Sequence, residues 1–156
     1  MFERRTLFLG LALGLGIILV AVLQLGLSAA PTAGGPPRGS DPVILKGADF
    51  SALQDAPLHE LALYAYRGGE WSAIPFQIDE VTSGGYFTSH ENGKLDANDE
   101  LVFMSHDGGE QAGSSNWVHD SAAKSHPRYA ISVTDPLAPG TAWYAYLYRS
   151  PSLGRS

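Results

Sequence analysis

The sequence contains no cysteine. No disulfide can therefore stabilise the fold, and a lipid-modified bacterial lipoprotein is excluded. A Gly-x-Ser-x-Gly nucleophile elbow is also missing. The glycine doublets, such as Gly68-Gly69, are isolated and are typical of turns, so there is no glycine loop that would bind phosphate. Nothing in these patterns indicates acyl or phosphoryl transfer.

Basic residues are scarce in this chain. Lysine and arginine number 10 against 16 acidic residues, which gives a formal net charge of −6. Beyond Arg5, 15 acidic and 8 basic residues remain, a formal charge of −7. Binding to nucleic acid needs clustered cations, so this balance argues against a nucleic-acid partner. Eight of the acidic residues lie between Asp79 and Glu110, which suits either a hard cation or a solvated acidic face.

The N-terminus predicts insertion into a membrane. Arg4 and Arg5 precede an uncharged run over residues 6–30, and about 20 apolar residues are enough to span a bilayer. The apolar part of a cleaved signal peptide is usually shorter, roughly 7–15 residues, and Pro31 would obstruct cleavage directly before it. We therefore favour a retained transmembrane anchor over a cleaved signal peptide. The two arginines should stay cytoplasmic, which places the rest of the chain outside the cytoplasm. The domain would then be membrane-anchored if the segment is retained, and secreted if it is cleaved.

The rest of the chain divides by composition. Residues 31–42 contain four prolines and three glycines without apolar periodicity, which predicts a tether. Residues 43–150 then form one small extracytoplasmic β domain, and residues 151–156 form a polar tail.

The domain has the patterns of strands and turns. Two strand-like runs, Leu61–Tyr66 and Trp71–Val81, flank a glycine-containing turn and predict a hairpin. Pro75 lies within the second run and predicts an edge strand or a bulge, because proline cannot donate to a ladder. Further strands are predicted at Leu101–Met104, Tyr129–Thr134 and Thr141–Tyr148. No segment after the anchor has helical periodicity, so the fold class is mainly β, an antiparallel sandwich of jelly-roll or immunoglobulin-like type.

A row of tyrosines marks the last predicted strand. Tyr144, Tyr146 and Tyr148 share one face because side chains alternate along a strand. Exposed, the row would suit a sugar chain or a protein partner. Buried, it would be the core face of the sheet, which is the interpretation that we favour.

Residues 92–99 have the spacing of the second half of an EF-hand-type calcium loop. Such a loop needs a glycine at its sharp turn, a backbone carbonyl after it and a carboxylate at the last position. With Gly93 at the turn, Lys94 supplies the carbonyl and Asp99 closes the loop. This half resembles the loops of dockerin modules, which close with aspartate. The residues predicted to hold Ca²⁺ are Asn92, Lys94, Asp96, Asp99 and Glu100.

The first half of the loop departs from that pattern. Thr88 and His90 stand where aspartate or asparagine is expected. Any missing oxygen ligands would have to come from nearby acids: Asp79, Glu80, Glu100 or Asp107. The alternative is that Asn92-Gly93 is a type I′ hairpin turn, followed by a solvated acidic loop.

A wider resemblance covers roughly residues 43–150. Three stretches, Ile74–Val81, Asn92–Met104 and Trp143–Arg149, are similar to segments of uncharacterised exported prokaryotic proteins. Those relatives are longer than this chain. The resemblance implies an exported β-rich domain, cut short relative to them, and no particular activity.

Two adjacent acid pairs, Asp79-Glu80 and Asp99-Glu100, have the residue types that a glycosidase uses as acid and base. We expect these acids to be ligands or surface residues rather than catalytic groups, because neighbours on a strand point to opposite faces.

The predicted function is a membrane-anchored or secreted binding or structural module, stabilised by calcium, whose partner is a glycan or a surface protein. The alternatives are a fragment of a secreted glycan-active hydrolase that uses an acid pair, and a non-catalytic N-terminal domain of a larger surface protein.

Overall fold

The computed structural model describes residues 41–89, 91–135, 138, 140–154 and 156. The predicted anchor and most of the predicted tether lie outside these residues. Within them, no helix has the length and apolarity needed to cross a membrane. The first strand begins at Pro42, the last residue of the predicted tether.

The described residues form two antiparallel sheets of four strands each. The strands are β1 (Pro42–Lys46), β2 (Leu61–Arg67), β3 (Glu70–Ala73), β4 (Phe76–Val81), β5 (Phe87–Thr88), β6 (Glu100–Met104), β7 (Tyr129–Thr134) and β8 (Ala142–Arg149). Sheet 1 has the order β1-β6-β4-β5, and sheet 2 has the order β3-β2-β8-β7. Short 3₁₀-helical segments lie at Gly47–Leu53, Leu58–Glu60, Ser105–Asp107 and Ala123–Ser125. The prediction of a mainly β, antiparallel fold is confirmed, and the two sheets are consistent with a sandwich.

The predicted hairpin is present as β2 and β3. Its turn places Gly68 at φ 57° and Gly69 at φ 91°, a left-handed pair that glycine adopts without strain. The second predicted strand is divided in two. Ile74 still donates its N–H to Leu63 of sheet 2 at 2.9 Å, whereas β4 begins directly after Pro75 and belongs to sheet 1. Of the two predicted alternatives the edge strand is present, since β3 lies at one edge of sheet 2. At Pro75, which has no N–H to donate, the chain then crosses to sheet 1.

The main core lies between the two sheets. It is built from alternate residues of the strands, with Leu61, Leu63, Ala65, Ala145 and Leu147 from sheet 2 and Leu101 and Phe103 from sheet 1. This alternation follows from the period of two in a strand. The apolar residues predicted in these strands thus form one face of each sheet.

The tyrosine row lies on the opposite face of sheet 2 and forms a second core. Tyr146 and Tyr148 are only 1% and 0% exposed, and Trp71 packs edge-on against both rings. The connection between β6 and β7 covers this face with the buried side chains of Ala112, Val118 and Ala123. The expectation that the row belongs to a core is confirmed.

Arg128 anchors that covering segment. Its guanidinium lies over the rings of Trp117 and Tyr146 at 5.2 and 4.9 Å from their centroids, and it donates to the backbone carbonyl of Asn116. Burial raises the pKa of the Tyr148 hydroxyl, and the nearby Arg128 charge offsets part of that rise. The cation is thus held by the faces of aromatic rings and by the backbone carbonyls of Asn116 and Gly113.

The covering segment begins at a close approach to sheet 2. Gly109 and Tyr144 exchange backbone hydrogen bonds of 2.8 and 2.9 Å, and the Glu110 N–H donates to the Tyr66 carbonyl at 2.7 Å. A β-carbon at Gly109 would lie 2.3 Å from the Tyr66 carbonyl oxygen. Only glycine fits between β2 and β8 at this point.

The predicted polar tail is attached to the domain. The hydroxyl of Ser152 donates to the Asp120 carboxylate at 2.5 Å, and Ser150 donates to it at 3.1 Å. Together with the N–H of Ala123, these bonds hold the pKa of Asp120 below its usual value, with Ser152 making the largest contribution. Leu153 packs against the second core. Serine hydroxyls and one apolar side chain therefore attach Ser152 and Leu153 of the predicted polar tail to the domain.

Candidate functional site

The connection between β4 and β6 contains the predicted calcium loop and the most exposed aromatic side chains. It starts with a tight turn in which the Thr82 N–H donates to the Tyr86 carbonyl at 2.9 Å, and the Gly85 N–H donates to Thr82 at 2.8 Å. Gly85 has a φ of 82°, a conformation that favours glycine. The turn pairs Val81 with Phe87 and so presents the residues at its tip to solvent.

Two adjacent aromatic residues stand out at this turn. Tyr86 is 75% exposed and Phe87 is 67% exposed. The remaining exposed large apolar side chain among the described residues is Ile44, on β1. Because aromatic rings are usually buried or packed, two adjacent exposed rings make this turn a candidate binding surface.

An open cleft of about 430 Å³ lies beside Phe87, lined by Asp79, Thr88 and Ser89. The Gln77 amide donates to both carboxylate oxygens of Asp79, at 3.1 and 3.0 Å. Hydrogen-bonding groups therefore stand next to a flat apolar ring.

Glu80 attaches the following loop to β4. Its side chain is largely buried, and one carboxylate oxygen accepts the N–H groups of Asn92 at 3.0 Å and Gly93 at 2.8 Å. Gly93 has a φ of 70°, as the predicted sharp turn requires.

Asp99 closes the loop from the other end. It is completely buried, and its two carboxylate oxygens accept the N–H of Val81 at 2.9 Å and the N–H of Asp96 at 2.7 Å. Each oxygen is thus matched to a backbone donor, which makes the carboxylate a structural acceptor.

Asn92 has a bridging role within the loop. Its side-chain oxygen accepts the N–H of Lys94 at 2.7 Å, and its side-chain amide donates to Asp96 at 2.7 Å. A type I′ turn needs positive φ at both central residues. Among the described non-glycine residues a positive φ occurs only at Asp55, so the type I′ alternative for Asn92-Gly93 is wrong.

The loop is also fixed on its outer side by the chain that follows β1. The Gly47 N–H donates to the Asp99 carbonyl at 2.7 Å, and the Leu58 N–H donates to the Gly93 carbonyl at 2.9 Å. Between these points the side chain of Leu95 is fully buried in the main core. Backbone hydrogen bonds at Gly93 and Asp99 and the buried side chain of Leu95 therefore fix the loop against the domain.

The structure brings together some of the predicted calcium ligands. Asn92, Asp96 and Asp99 belong to one hydrogen-bonded network. Lys94 contributes its N–H to that network and its side chain is exposed, while Glu100 forms an ion pair with Lys46 of β1 at 2.6 Å. Over the part of the chain that the structure describes, no group of three or more histidine or acidic side chains is arranged to hold a metal ion. His90 lies outside that part, and calcium binding stays a prediction.

Acidic side chains of the loop and of β4 influence one another electrostatically. The pKa of Glu91 is raised, first by loss of solvent around its carboxyl and then by the charges of Asp96, Asp99 and Glu80. A second open cleft, of about 280 Å³, is lined by Glu80, Glu91, Asn92 and Gly93. A cation placed there would relieve the repulsion among these carboxylates.

The two acid pairs are each divided. Glu80 accepts the Gly93 N–H of the loop and Asp99 accepts the Asp96 N–H, whereas Asp79 and Glu100 are opposite each other in the β4–β6 register. Asp79 accepts from Gln77 and Glu100 pairs with Lys46. Within each pair, the two carboxylates therefore have different partners.

Sequence reasoning missed Tyr86 and Phe87. The signal available was two aromatic residues directly after the Gly84-Gly85 doublet, since a residue that follows a glycine turn is often at a loop tip.

Comparisons of the chain with protein-family models, with curated proteins and with solved structures give no significant match.

Proposed function

We propose that residues 43–150 are an extracytoplasmic binding module that holds a glycan at the Tyr86-Phe87 turn and is attached to the membrane by residues 1–30. The observation that carries the proposal is the adjacent exposed pair, at 75% and 67% exposure. The jelly-roll or immunoglobulin-like class of the sandwich is part of the same proposal.

The chemistry of the turn fits a sugar chain. An aromatic ring offers a flat apolar surface for the C–H face of a sugar, and a tyrosine hydroxyl adds a polar tip. The hydroxyls of Thr88 and Ser89 and the carboxylate of Asp79 line the adjoining cleft and can hydrogen-bond sugar hydroxyls. Binding sites commonly combine an apolar surface with a few polar groups in this way.

Replacing Tyr86 or Phe87 with alanine should weaken glycan binding by about tenfold each, the equivalent of losing one stacking contact. Affinity electrophoresis in gels that contain xylan, mannan, laminarin or solubilised peptidoglycan would measure it. Ile44→Ala is the matched control, because Ile44 is also exposed but lies on β1. A glycan site at this turn would be excluded if no polysaccharide retarded the wild type. It would also be excluded if both aromatic variants were retarded as strongly as the wild type.

We also propose that Ca²⁺ stabilises the 91–99 loop. Asn92 and Asp96 are retained from the predicted ligand set, and Glu91 is added to it. Asp99 and Glu80 instead accept backbone N–H groups and hold the loop in shape. The raised pKa of Glu91 supports the proposal, because the charges of Asp96, Asp99 and Glu80 add to the larger effect of desolvation and so are close enough to repel the Glu91 carboxylate. Extracellular modules of this kind bind calcium at about 10⁻⁴ to 10⁻³ M.

Glu91→Gln tests the calcium proposal, because it should change the melting temperature in chelator and the response to Ca²⁺ in opposite directions. A carboxyl whose pKa is raised by folding favours the folded state while it is protonated, and that contribution is lost as pH rises through its folded pKa. We therefore expect Glu91→Gln to melt at a higher temperature than the wild type at pH 7 in chelator, and to show a smaller rise with Ca²⁺. Thermal melts of residues 41–156 with Ca²⁺, Mg²⁺ or chelator would measure both.

The control for this experiment is Glu70→Gln, which removes one exposed acid from β3 and should leave the calcium response unchanged. A wild-type melting temperature that does not respond to Ca²⁺ would count against the calcium proposal. It would leave the glycan proposal to its own test.

A further inference from the structure

Strand β7 presents an unprotected edge. It ends sheet 2 and pairs with β8 alone in the part of the chain that the structure describes. Its six residues, Tyr129–Thr134, include no charged residue, proline or glycine. Such a strand offers a row of backbone donors and acceptors to another strand.

The other three edges carry features that discourage pairing. β1 begins with Pro42 and ends with the exposed Lys46, β3 has four residues and starts with the exposed Glu70, and β5 has only two residues. Proline, charge and short length are the usual protections of an edge. Their absence from β7 alone singles out this edge as a pairing surface.

We propose that β7 pairs antiparallel with β7 of a second copy of this chain and joins the two copies of sheet 2 into one eight-stranded sheet. A two-fold axis normal to the sheet keeps both inner faces on the same side. Ile131, which faces the main core, then lies opposite another inward residue. The axis lies midway between the two copies of Ile131 or between the two copies of Ser132. These two registers pair the longest part of both strands while inward residues stay opposite inward residues.

Several properties make the strand self-complementary. The residues on its outer face, Ala130, Ser132 and Thr134, are exposed and small, so they do not clash with their equivalents. No like charges meet, because the strand has none. A charged partner strand would find no opposite charge on this edge, whereas a second copy offers the same alternating uncharged pattern. One pair of strands buries little surface, so the dimer is weak and forms when the local concentration is high.

The absence of cysteine gives a clean test in the full chain, expressed in membranes. Ser132→Cys places two thiols opposite each other if the axis passes through Ser132, at the roughly 4.4–6.8 Å between Cα atoms that a disulfide needs. If the axis passes through Ile131, Ala130→Cys in one copy lies opposite Ser132→Cys in the other. Ser72→Cys is the control, since Ser72 is exposed on β3 at the other edge of sheet 2.

Under mild oxidation, Ser132→Cys alone, or the mixture of the two differently tagged variants, should give at least ten times more disulfide-linked dimer than Ser72→Cys. Equal cross-linking at the two edges would overturn the proposal.

A charge exchange gives an independent result in the same full chain. Replacing both Ala130 and Ser132 with lysine should reduce co-purification of two differently tagged copies at least tenfold. Two cations then meet in either register, because residue 132 lies opposite residue 132 or residue 130 of the other copy. Mixing the double-lysine chain with a chain that has glutamate at both positions should restore co-purification, which also shows that both variants fold. Co-purification that lysine leaves unchanged, or that the mixture does not restore, would contradict pairing through β7.

Discussion

Replacing Asp99 with alanine should lower the free energy of unfolding by about 2–6 kcal/mol, because two buried backbone donors lose their acceptor at a cost of about 1–3 kcal/mol each. Those donors are the N–H groups of Val81 and Asp96, at 2.9 and 2.7 Å from the carboxylate. The carboxylate is completely buried, so water cannot replace it without entering the core. Urea unfolding of residues 41–156 in chelator, followed by tryptophan fluorescence, would measure the loss.

Asp96→Ala is the matched control for this prediction. The Asp96 carboxylate accepts the side-chain amide of Asn92, and Asp96 is only half-buried, so its loss should cost about 1 kcal/mol. Both variants should lose any response to Ca²⁺, but only Asp99→Ala should be severely destabilised in chelator. Equal stability of the two variants in chelator would show that Asp99 is not the acceptor on which the loop depends.

Gly47→Ala should destabilise the domain by about 3–5 kcal/mol, through steric overlap and the loss of a buried hydrogen bond. A β-carbon at this position would lie 1.8 Å from the Asp96 carbonyl oxygen and 2.9 Å from its carbon. Both are backbone atoms, so a change of rotamer cannot relieve the overlap. The loop would have to move away and break the bond from the Gly47 N–H to the Asp99 carbonyl.

Gly113→Ala is the control, because the nearest atom to its added β-carbon would be 3.8 Å away. That variant should stay within about 0.5 kcal/mol of the wild type, as surface substitutions usually do. The same urea titration compares the two alanine variants. If they had the same midpoint, the close approach of Gly47 to the loop would be refuted.

The parts of the fold that depend on local sequence could be predicted. The glycines at 68 and 69 identify the β2–β3 hairpin, and the alternation of Tyr144, Tyr146 and Tyr148 identifies a strand with the three rings on one face. Both features depend only on neighbours in sequence or along one strand. Burial of the tyrosine face depends on Trp71 and on the β6–β7 connection, which are distant in sequence. The position of Gly93 likewise predicts the sharp turn of the 91–99 loop.

Other parts depend on contacts that are distant in sequence. The division of Trp71–Val81 at Pro75 reflects which sheet each half joins, and a pattern of apolar residues does not contain that choice. The role of Asp99 follows from the Val81 N–H, 18 residues away. In sequence, a carboxylate that binds a cation cannot be told from one that accepts a backbone N–H. The exposure of Tyr86 and Phe87 likewise becomes visible only in the folded chain.

The position of β8 bears on how the chain acquires its structure as it is synthesised. β8 follows β2 and β7 in sequence, yet it lies between them in sheet 2. A nascent chain leaves the ribosome N-terminus first, so β2 and β7 stay unconnected within the sheet until residues 142–149 have emerged. Contacts this distant in sequence slow folding, and a premature stop before residue 142 would remove the strand that joins the two halves of sheet 2.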